Sequence, residues 1–489
     1  MAWPKFLRLF PILMLAAAPF GCGTRPKVAP LPQDSPILVY FNQSEAATYQ
    51  DPYRKNIGPR YGDNFEAIIL QEIEKATRSI DVAVQEIRLP LVAKALVKKH
   101  QSGVRVRVIL ENSYNVALSQ LTDTQVDELN PHSRSRYDEV VKLIDTNGDG
   151  KLSQEEINNG DAIIIMQNGN LPLIDDTADG SKGSGLMHHK FMIFDDQRVL
   201  VTSANFTTSD MHGDFGSPES RGNPNSLVLM DSPEVGRIFG EEFNIMWGDG
   251  PGGNTDSKFG IQKPLREPQT VNLGAGTVTI NFSPARRRQW DQSTNALIAN
   301  TLSQAQNKID LALFVFSEQK LVDVMEPLHN KGVKIRALIE PDFAFKYYNE
   351  SLDMWGIALP RKGTCKYEPD NAPWANPVRE VGVPKLPKGD RLHHKFGVMD
   401  NYVVIVGSHN WTPAGNHNND ETLLVIKNAT VAAHFDREFN RLMQNVELGP
   451  PGWLLKAVKE AEKECGQATI PLNRPTLVGV GGGGADGGV

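Results

Sequence analysis

One segment of this 489-residue chain occurs twice, and the duplication restricts the fold more than any other feature. The first copy, MHHKFMIFD, spans 187–195 and is followed after six residues by TSAN at 202–205. The second copy, LHHKFGVMD, spans 392–400 and is followed after the same gap by GSHN at 407–410. In each copy the apolar runs predict two strands joined by a tight turn. The chain must therefore fold into two similar units.

The duplication extends to the segments that precede each copy. A strand at 79–84, a helix around 91–100 and a strand at 104–111 return at an offset of 229 residues. Strand, helix and strand in this order predict a parallel crossover unit in each half. The offset falls from 229 to 205 at the repeated segment, so the first half holds 24 additional residues.

These patterns predict an α/β protein of two duplicated halves, each with a mixed, mainly parallel sheet flanked by helices, and related by a pseudo-twofold axis. The expected boundaries are a signal peptide at 1–23, a linker at 24–36, the first half at 37–247 with an insert at about 120–160, a linker at 248–276, the second half at 277–446, and a C-terminal extension at 447–489 that ends in a disordered, Gly-rich tail.

Each repeated segment brings polar groups to one edge of its sheet. Alternation along a strand predicts that His393 and Lys395 point to one face, roughly 6.5 Å apart, and that His394 points to the other. The tight turn returns the chain to the same edge, so Ser408 and Asn410 arrive beside them. An imidazole, an ammonium, a hydroxyl and an amide then converge, and this set of groups suits a phosphate ester.

Two HxKxxxxD motifs, each followed by a GSxN-like motif, resemble the phospholipase D superfamily. The second copy fits at every motif position, and the first departs in Thr202, which stands where the pattern has glycine. The resemblance implies one active site between the halves and a phosphodiesterase that needs no catalytic metal. One histidine would attack phosphorus to give a covalent phosphohistidine, the other would protonate the leaving alcohol, and water would complete the hydrolysis.

The resemblance also implies roles for the individual motif residues. The motif lysines and asparagines would hold the non-bridging phosphate oxygens, and the motif aspartates would brace the motif. The implied catalytic set is His188, Lys190, Asp195, Asn205, His393, Lys395, Asp400, Asn410 and Glu421. Contacts to the substrate are expected from Ser203 and Ser408 together with the two lysines.

The partners of the two histidines suggest which one attacks. Glu421 follows Asn410 by eleven residues and is the carboxylate that the resemblance implies as a histidine partner, while Asn225 aligns with it in the first half. A carboxylate partner raises the pKa of a histidine, whereas an amide leaves the ring neutral. Assigning Glu421 to the histidine of its own half predicts His393 as the acid and His188 as the nucleophile.

The additional residues of the first half contain DTNGDGKLSQEE at 145–156, which resembles an EF-hand calcium loop. Entering and exit helices are predicted at 137–144 and 154–158. The expected ligands are Asp145, Asn147, Asp149, the backbone carbonyl of Lys151 and Glu156, with Ser153 at the ninth position. The alternative is an Asx-rich turn without metal. A solitary loop outside the cell favours a structural calcium clip over a sensor.

The amino terminus predicts export. Basic residues precede an apolar run at 9–20 that is too short for a membrane span. Cys22 follows a small residue, as in a bacterial lipoprotein cleavage site, and ordinary signal cleavage is the alternative. We expect a periplasmic, surface-bound or secreted protein, with lipid anchoring at Cys22 as one outcome. In an oxidising compartment Cys365 and Cys465 either form a disulfide or remain two thiols.

Charge bears on the substrate. A net charge of −7 argues against a dedicated nucleic-acid binder. Predicted export and the acidic charge together favour phospholipase D-type hydrolysis of phospholipid at a membrane surface. A secreted endonuclease is the alternative. A non-catalytic, calcium-dependent binding protein is the third candidate. Arg286, Arg287 and Arg288 form either a solvated helix start or a head-group contact. Trp355 and Trp374 are candidates for the substrate mouth.

Overall fold

In a computed structural model, which describes residues 26–55, 57–181 and 185–466, the chain folds into two α/β halves. The predicted signal peptide at 1–23, Cys22 and the tail at 481–489 lie outside the described residues. Within them, no helix combines the length and the apolar character that a membrane crossing requires.

The strands alternate with helices along both halves. The strands of the first half are β1 (Ile37–Phe41), β2 (Thr48–Tyr49), β3 (Arg60–Tyr61), β4 (Ser79–Val84), β5 (Arg105–Leu110), β6 (Leu173–Asp175), β7 (Lys190–Phe194), β8 (Arg198–Thr202) and β9 (Ser226–Asp231). Those of the second half are β10 (Gln269–Leu273), β11 (Gly276–Phe282), β12 (Lys308–Leu313), β13 (Lys334–Ile339), β14 (Val381–Pro384), β15 (Lys395–Met399), β16 (Val403–Gly407), β17 (Thr422–Lys427) and β18 (Val446–Leu448).

The helices follow the same duplication. The first half contains α1 (Phe65–Lys75), α2 (Pro90–Gln101), α3 (Asp123–Asp127), α4 (Pro131–Ile144), α5 (Gln154–Gly160), α6 (Ala162–Asn168), α7 (Thr208–Met211) and α8 (Pro233–Trp247). The second contains α9 (Thr294–Leu302), α10 (Gln319–Asn330), α11 (Pro341–Ala344), α12 (Ser351–Met354), α13 (Pro413–His417), α14 (Ala429–Met443) and α15 (Gly452–Cys465).

Two large mixed sheets carry the halves. The first has the order β1-β9-β8-β7-β4-β5-β6, and the second β10-β11-β17-β16-β15-β12-β13-β14-β18. β4 pairs with β5 in parallel, as β12 does with β13, which confirms the crossover units. β6 and β14 extend these parallel pairs. The other pairings described for both sheets are antiparallel, so the sheets are mixed as predicted, but the expectation of mainly parallel strands is corrected. The reason is that the chain returns through tight turns after β7 and β15.

Local chemistry sets the start and the buried face of α1. Asn64 caps the helix by accepting a hydrogen bond from the backbone N–H of Ala67 at 3.0 Å. Phe65, Ile69 and Ile73 are fully buried, so the apolar stripe of this helix faces the core of the first half.

The helix that closes each half packs against the other half. Phe239 of α8 lies 5.2 Å from Phe282 of β11, and Phe435 of α14 lies 5.1 Å from Phe41 of β1, measured between ring centroids. All four rings belong to one apolar cluster that spans both halves. Burying such a side chain stabilises the fold by roughly 1.5–3 kcal/mol. This shared core fixes the two sheets relative to each other.

Three stretches differ from the sequence interpretation. The 248–276 segment, expected as a linker, also supplies β10, which pairs with β11. The C-terminal extension contributes α15, which is tied to the second half by a disulfide between Cys365 and Cys465, 100 residues apart. Trp355 and Trp374 are buried in the second-half core rather than placed at a substrate mouth, because the irregular stretch before β15 packs inward.

Candidate active site

Both HxK motifs stand at the beginning of a central strand. β7 begins at Lys190 and β15 at Lys395, with β4 and β12 beside them. The four motif side chains of His188, Lys190, His393 and Lys395 are at most 8% exposed. The predicted groups are therefore present in both halves, and they are withdrawn from bulk water.

The second histidine of each motif points to the opposite face, as strand alternation predicts. His189 Nε2 lies 3.2 Å from Glu242 of α8, and His394 Nε2 lies 3.0 Å from Glu438 of α14. These buried contacts connect each closing helix to a motif strand. His189 and His394 consequently belong to the support of the motif and not to its functional face.

The rings of the first histidines are held across the boundary between the halves. His188 Nδ1 lies 2.7 Å from Glu421 Oε2, and His393 Nδ1 lies 3.0 Å from Asn225 Oδ1. The backbone N–H of His188 also donates to the carbonyl of Asp420 at 2.9 Å. Each Nδ1–H therefore has an acceptor from the other half, which leaves Nε2 of each ring as the atom with a free lone pair.

This geometry corrects the pairing expected for Glu421. The sequence interpretation gave Glu421 to His393, the histidine of its own half, whereas the carboxylate holds His188 and the amide of Asn225 holds His393. The reason is topological. β17 follows Glu421 beside β16, and this strand end faces the first-half motif across the shared cleft.

The motif serines hold the groups that hold the histidines. Ser203 Oγ donates to Asn225 Oδ1 at 2.7 Å, and Ser408 Oγ donates to Glu421 Oε2 at the same distance. Both hydroxyls also accept from a backbone N–H of the next strand, and both residues are fully buried. The structure therefore does not support direct substrate contacts by Ser203 and Ser408, because each hydroxyl already donates its only proton and has none for a phosphate oxygen.

Thr202 occupies the position of Gly407 without disturbing the site. A Cβ atom at Gly407 would collide with the carbonyl oxygen of Thr422. In the first half there is room for the side chain of Thr202. Its Oγ1 donates to the carbonyl of Ser226 at 2.7 Å and accepts from the N–H of Ala204. The departure from the glycine pattern is thus accommodated by two hydrogen bonds.

The two motif lysines have different surroundings. Lys190 Nζ donates to Gln85 Oε1 and to the carbonyl of His188, both at 3.0 Å. Lys395 Nζ donates to the carbonyl of His393 at 2.8 Å and otherwise lies 4.9 Å from the centroid of the Phe314 ring. Gln85 and Phe314 are equivalent positions, separated by the 229-residue offset of the repeat.

Burial and mutual repulsion lower the affinity of these groups for protons. Burial, with the charges of Lys190 and Lys395, holds the pKa of His188 and of His393 well below the usual range. Burial lowers the pKa of Lys190 to about 8 and that of Lys395 to about 7, the latter also through the charge of Lys190. Burial raises the pKa of Glu421. The groups of both halves thus form one electrostatically connected site, whose positive charge a bound phosphate ester would stabilise.

Asn205 and Asn410 complete the predicted set. Both are half-buried, and the Oδ1 atom of each is enclosed without a hydrogen-bond partner. An uncommitted amide at this place is free to orient towards a ligand. The structure therefore keeps the two asparagines among the candidate ligand-binding residues.

Asp195 and Asp400 lie away from the cleft, at the far ends of β7 and β15. Each carboxylate accepts hydrogen bonds from three consecutive backbone N–H groups, those of 77–79 and 306–308 respectively. A strand of five residues separates them from the lysines, a distance of roughly 16 Å. These contacts confirm the predicted bracing role of both aspartates and remove them from the catalytic set, because neither carboxylate reaches the cleft.

Sequence reasoning missed Asp210. Its buried carboxylate accepts from the N–H of Asn205 and from Asn223 Nδ2, both at 2.6 Å, and lies 3.7 Å from His393 Nδ1. Burial raises its pKa. The equivalent position in the second half is Gly415, so the duplication gave no signal for it. Its position five residues after the motif asparagine was the available clue.

The EF-hand-like loop lies between α4 and α5, close to the predicted helix ends. The Asp145 carboxylate accepts from the N–H groups of Gly148 and Gly150, at 2.7 and 2.9 Å. Glu156 Oε1 accepts from the N–H of Thr146 at 3.0 Å and from that of Asn147. In the described part of the chain, no three His, Cys, Asp or Glu side chains are clustered as metal ligands. The loop has the predicted fold, but its acidic side chains cap backbone groups.

The insert also contacts the walls of the cleft. Arg136 of α4 donates to Glu86 at 2.6 Å, and Glu86 follows Gln85, the partner of Lys190. Glu139 of α4 accepts from the N–H groups of Phe215 and Gly216, in the loop after Asp210. One helix of the insert therefore supports both sides of the first-half motif.

Comparison with known proteins agrees with this geometry. Residues 69–247 and 298–443 match the family described as "Cardiolipin synthase, PLD-like domain". The mitochondrial cardiolipin hydrolase of Mus musculus is 27% identical over 156 residues, which cover 32% of this chain and 61% of that protein. The Homo sapiens protein of the same name is 26% identical over 174 residues, covering 36% and 60%. The chain thus spans about three fifths of the length of these relatives.

A solved structure resembles the whole architecture. The crystal structure of phosphatidylserine synthase from Haemophilus influenzae Rd KW20 aligns with a TM-score of 0.51 and 12% identity over 89% of this chain and 94% of that one. At this identity the likeness concerns the fold alone. The family match covers both halves and their motifs, well over half of the chain. This chain therefore belongs to the phospholipase D superfamily.

Proposed function

We propose that the protein hydrolyses a phosphodiester bond of a membrane phospholipid through a covalent phosphohistidine on His188. The observation that carries the proposal is the pair of buried imidazoles, each held at Nδ1 by the opposite half, beside two lysines with lowered pKa. A nucleophile, a proton donor and a cationic anion-binding site are the three parts that this hydrolysis requires.

In this proposal His188 is the nucleophile because Glu421 accepts a hydrogen bond from its Nδ1–H. The carboxylate fixes the tautomer whose Nε2 lone pair faces the substrate. It also stabilises the positive charge that the ring gains as Nε2 bonds to phosphorus. On the observed pairing, the rule that a carboxylate partner marks the acid would make His188 the acid. We replace that rule because burial and the charges of Lys190 and Lys395 hold the pKa of His188 low despite Glu421, so the ring is neutral and able to attack.

His393 donates its Nε2 proton to the oxygen of the leaving alcohol as the bond from that oxygen to phosphorus breaks. The bound phosphodiester anion raises the pKa of the ring and so favours its charged form before this step. Asn225 is neutral and does not hold the proton on the ring. In the second step His393 takes a proton from water, the water oxygen bonds to phosphorus, and the bond to His188 breaks. Lys190 and Lys395 stabilise the charge on the non-bridging oxygens throughout.

Three considerations support a phospholipid substrate. The family description and the names of the relatives refer to cardiolipin, a lipid that contains phosphodiester bonds. The net charge of −7 disfavours nucleic acid as the dedicated substrate. The predicted signal and possible lipid anchor at Cys22 would place the enzyme outside the cytoplasm, and the Cys365–Cys465 disulfide is consistent with an oxidising compartment.

We also propose that the 145–156 loop binds calcium as a structural clip. The loop offers the oxygen donors that calcium prefers, from Asp145, Asn147, Asp149, the Lys151 carbonyl and Glu156. The side chains among them already accept hydrogen bonds from backbone N–H groups of the same short loop, so their oxygens lie close together. A bound ion would hold α4 to α5. Calcium should raise the unfolding temperature of the wild-type protein, and Glu156→Gln should abolish that rise; the absence of a calcium effect on the wild type would contradict the clip.

The catalytic proposal is tested with purified protein on phosphatidylcholine, cardiolipin and DNA, each with and without chelator. We expect release of a lipid head-group alcohol or phosphatidyl product and no comparable cleavage of DNA. Rapid quenching in alkaline denaturant with phosphorus-radiolabelled lipid, followed by mapping of the labelled peptide, should find the label on His188. Label on His393 would reverse the two roles, and cleavage of DNA alone would replace the substrate.

A further inference from the structure

A basic surface lies beside the cleft and has no part in the steps described above. Arg286, Arg287 and Arg288 stand at the start of the 3-10 helix Arg287–Gln292, which precedes α9, and line a cavity of about 470 Å³ together with Ile261, His417 and Asn418. All three arginines are exposed. None of them has a carboxylate within 4.0 Å among the described residues, although the chain as a whole is acidic.

The positive charge of this surface is concentrated rather than neutralised. Lys320 Nζ lies over the Trp290 ring, 4.1 Å from its centroid, and Trp290 stands 6.4 Å from the ring of His417. Burial lowers the pKa of His417, and the charges of Arg287 and Lys320 lower it further. Three arginines thus line one small cavity, and Lys320 is near enough to act on His417 in its wall, so an anion placed there would be attracted.

Backbone contacts connect this surface to the catalytic groups. The N–H of Ala285 donates to the carbonyl of Asn416, and the N–H of Ser283 donates to the carbonyl of Glu421, the partner of His188. The arginines therefore follow directly on the segment whose backbone contacts Glu421. A molecule bound at the cavity would lie next to that segment.

The apolar residues of the same surface point to a lipid interface. Ile261 lines the cavity, and Leu186 is hydrogen-bonded through its backbone to Asn419 and Asp420, next to the cavity residue Asn418. Both aliphatic side chains are 38% exposed. Basic residues, a tryptophan and exposed aliphatic side chains together are typical of surfaces that bind the interface of an anionic membrane.

We propose that Arg286, Arg287 and Arg288 bind lipid phosphate groups at a membrane surface, with Ile261 and Leu186 entering the interface, and so hold the cleft against an anionic bilayer. The inference rests on the proposed function for its choice of lipid over other phosphate esters. The cavity accommodates a phosphate group of the substrate lipid or of its neighbour in the bilayer, and the arginine fork binds such groups in bidentate fashion.

The test measures vesicle binding in His188→Ala protein, which cannot carry out the proposed attack and so leaves the vesicles intact. Sedimentation compares phosphatidylcholine vesicles with vesicles that contain one-third cardiolipin. A variant with Arg286→Ser, Arg287→Ser and Arg288→Ser should lose about 100-fold in partitioning to the anionic vesicles at low salt, since each basic residue contributes about a factor of five. Salt should weaken binding of the parent protein.

A matched control removes three exposed cations elsewhere, with Lys94→Ser, Lys331→Ser and Lys362→Ser. It has the same net charge as the arginine variant and should lose less than about threefold. Lysine in place of each arginine should retain most of the binding, which separates loss of charge from misfolding. Equal losses in both serine variants, loss of duplex-DNA binding with vesicle binding intact, or displacement by millimolar inorganic phosphate would each overturn the proposal. Arginine-dependent vesicle binding without lipid turnover by the wild-type protein would instead refute the proposed function alone.

Discussion

The two halves of the molecule share their backbone plan and differ in the charges placed around it. In the first half the motif histidine is held by a carboxylate and the motif lysine by an amide; in the second the histidine is held by an amide and the lysine faces an aromatic ring. These two environments favour different protonation states for the two motif histidines and for the two motif lysines. The duplication therefore supplies two copies of one set of groups, and the substitutions around them give each copy a different electrostatic environment.

Removing the two histidines one at a time should separate these tasks most strongly. His188→Ala should lower kcat by at least about 10⁴-fold with any leaving group, since the bond to phosphorus cannot form. His393→Ala should cost about 10²–10⁴-fold with an alkyl leaving group, and far less with p-nitrophenolate, which departs without a proton. Measuring both variants on a lipid and on a p-nitrophenyl ester checks this. If p-nitrophenyl turnover survives in His188→Ala instead, the two roles are exchanged.

Exchanging the groups that hold the rings should have the next largest effect. Glu421→Gln keeps the contact to His188 but removes the charge that stabilises the ring cation, so kcat should fall by about 10²–10³-fold. Asn225→Ala removes the Nδ1 acceptor of His393 but no charge, and it should cost about tenfold. Single-turnover formation of the phosphohistidine is the suitable measurement. Equal losses in the two variants would mean that orientation of the rings matters and charge does not.

The two motif lysines should determine how kcat/KM falls on the alkaline side of its pH profile. Lys395 and Lys190 bind anionic oxygens only when protonated, so kcat/KM should fall as the pH rises through about 7, where Lys395 loses its proton first. Phe314→Gln gives Lys395 the partner that Gln85 gives Lys190. It should therefore move this limb upwards by about one pH unit. A limb that stays in place in Phe314→Gln would show that the aromatic neighbour is not what separates the two lysines.

The smallest effect on activity is expected where the halves are alike. Asp195→Ala and Asp400→Ala should each lower the free energy of unfolding by about 2 kcal/mol, because three backbone N–H groups lose their acceptor. The pKa of both carboxyls is lowered in the folded state, so this stability is present above their ordinary pKa and is lost as the pH falls. Urea unfolding at pH 7 and in acid measures both. A large difference between the two variants would contradict the symmetry of the braces.

Most of the fold and the central groups of the site could be predicted from the sequence because each strand, helix and motif of the repeat occurs twice. The crossover units, the alternation of His393 and His394 and the convergence of both motifs are confirmed. The share of antiparallel pairing was wrong, because antiparallel and parallel neighbours of a buried strand present the same apolar run. The sequence of a single strand shows that the strand is buried, but it does not show which strands lie beside it or in which direction they run.

The errors at the site arise from contacts between the halves. Glu421 was assigned to the wrong histidine because a sequence shows which residues are neighbours along the chain and not which half faces which. Ser203 and Ser408 were expected to meet the substrate, although hydroxyls next to a buried carboxylate or amide satisfy those groups first. Asp210 has no counterpart in the second half, so a search for repeated residues passes over it.

The exchange of histidine partners between the halves has a consequence for how such an enzyme can diversify. A protein made of two identical subunits with this arrangement must hold both rings in the same way. A substitution of the residue that holds one ring would occur in both subunits at once. Joining the subunits into one chain removes that obligation. Glu421 and Asn225 then become free to differ, and the two sides of a once symmetric cleft acquire separate evolutionary histories.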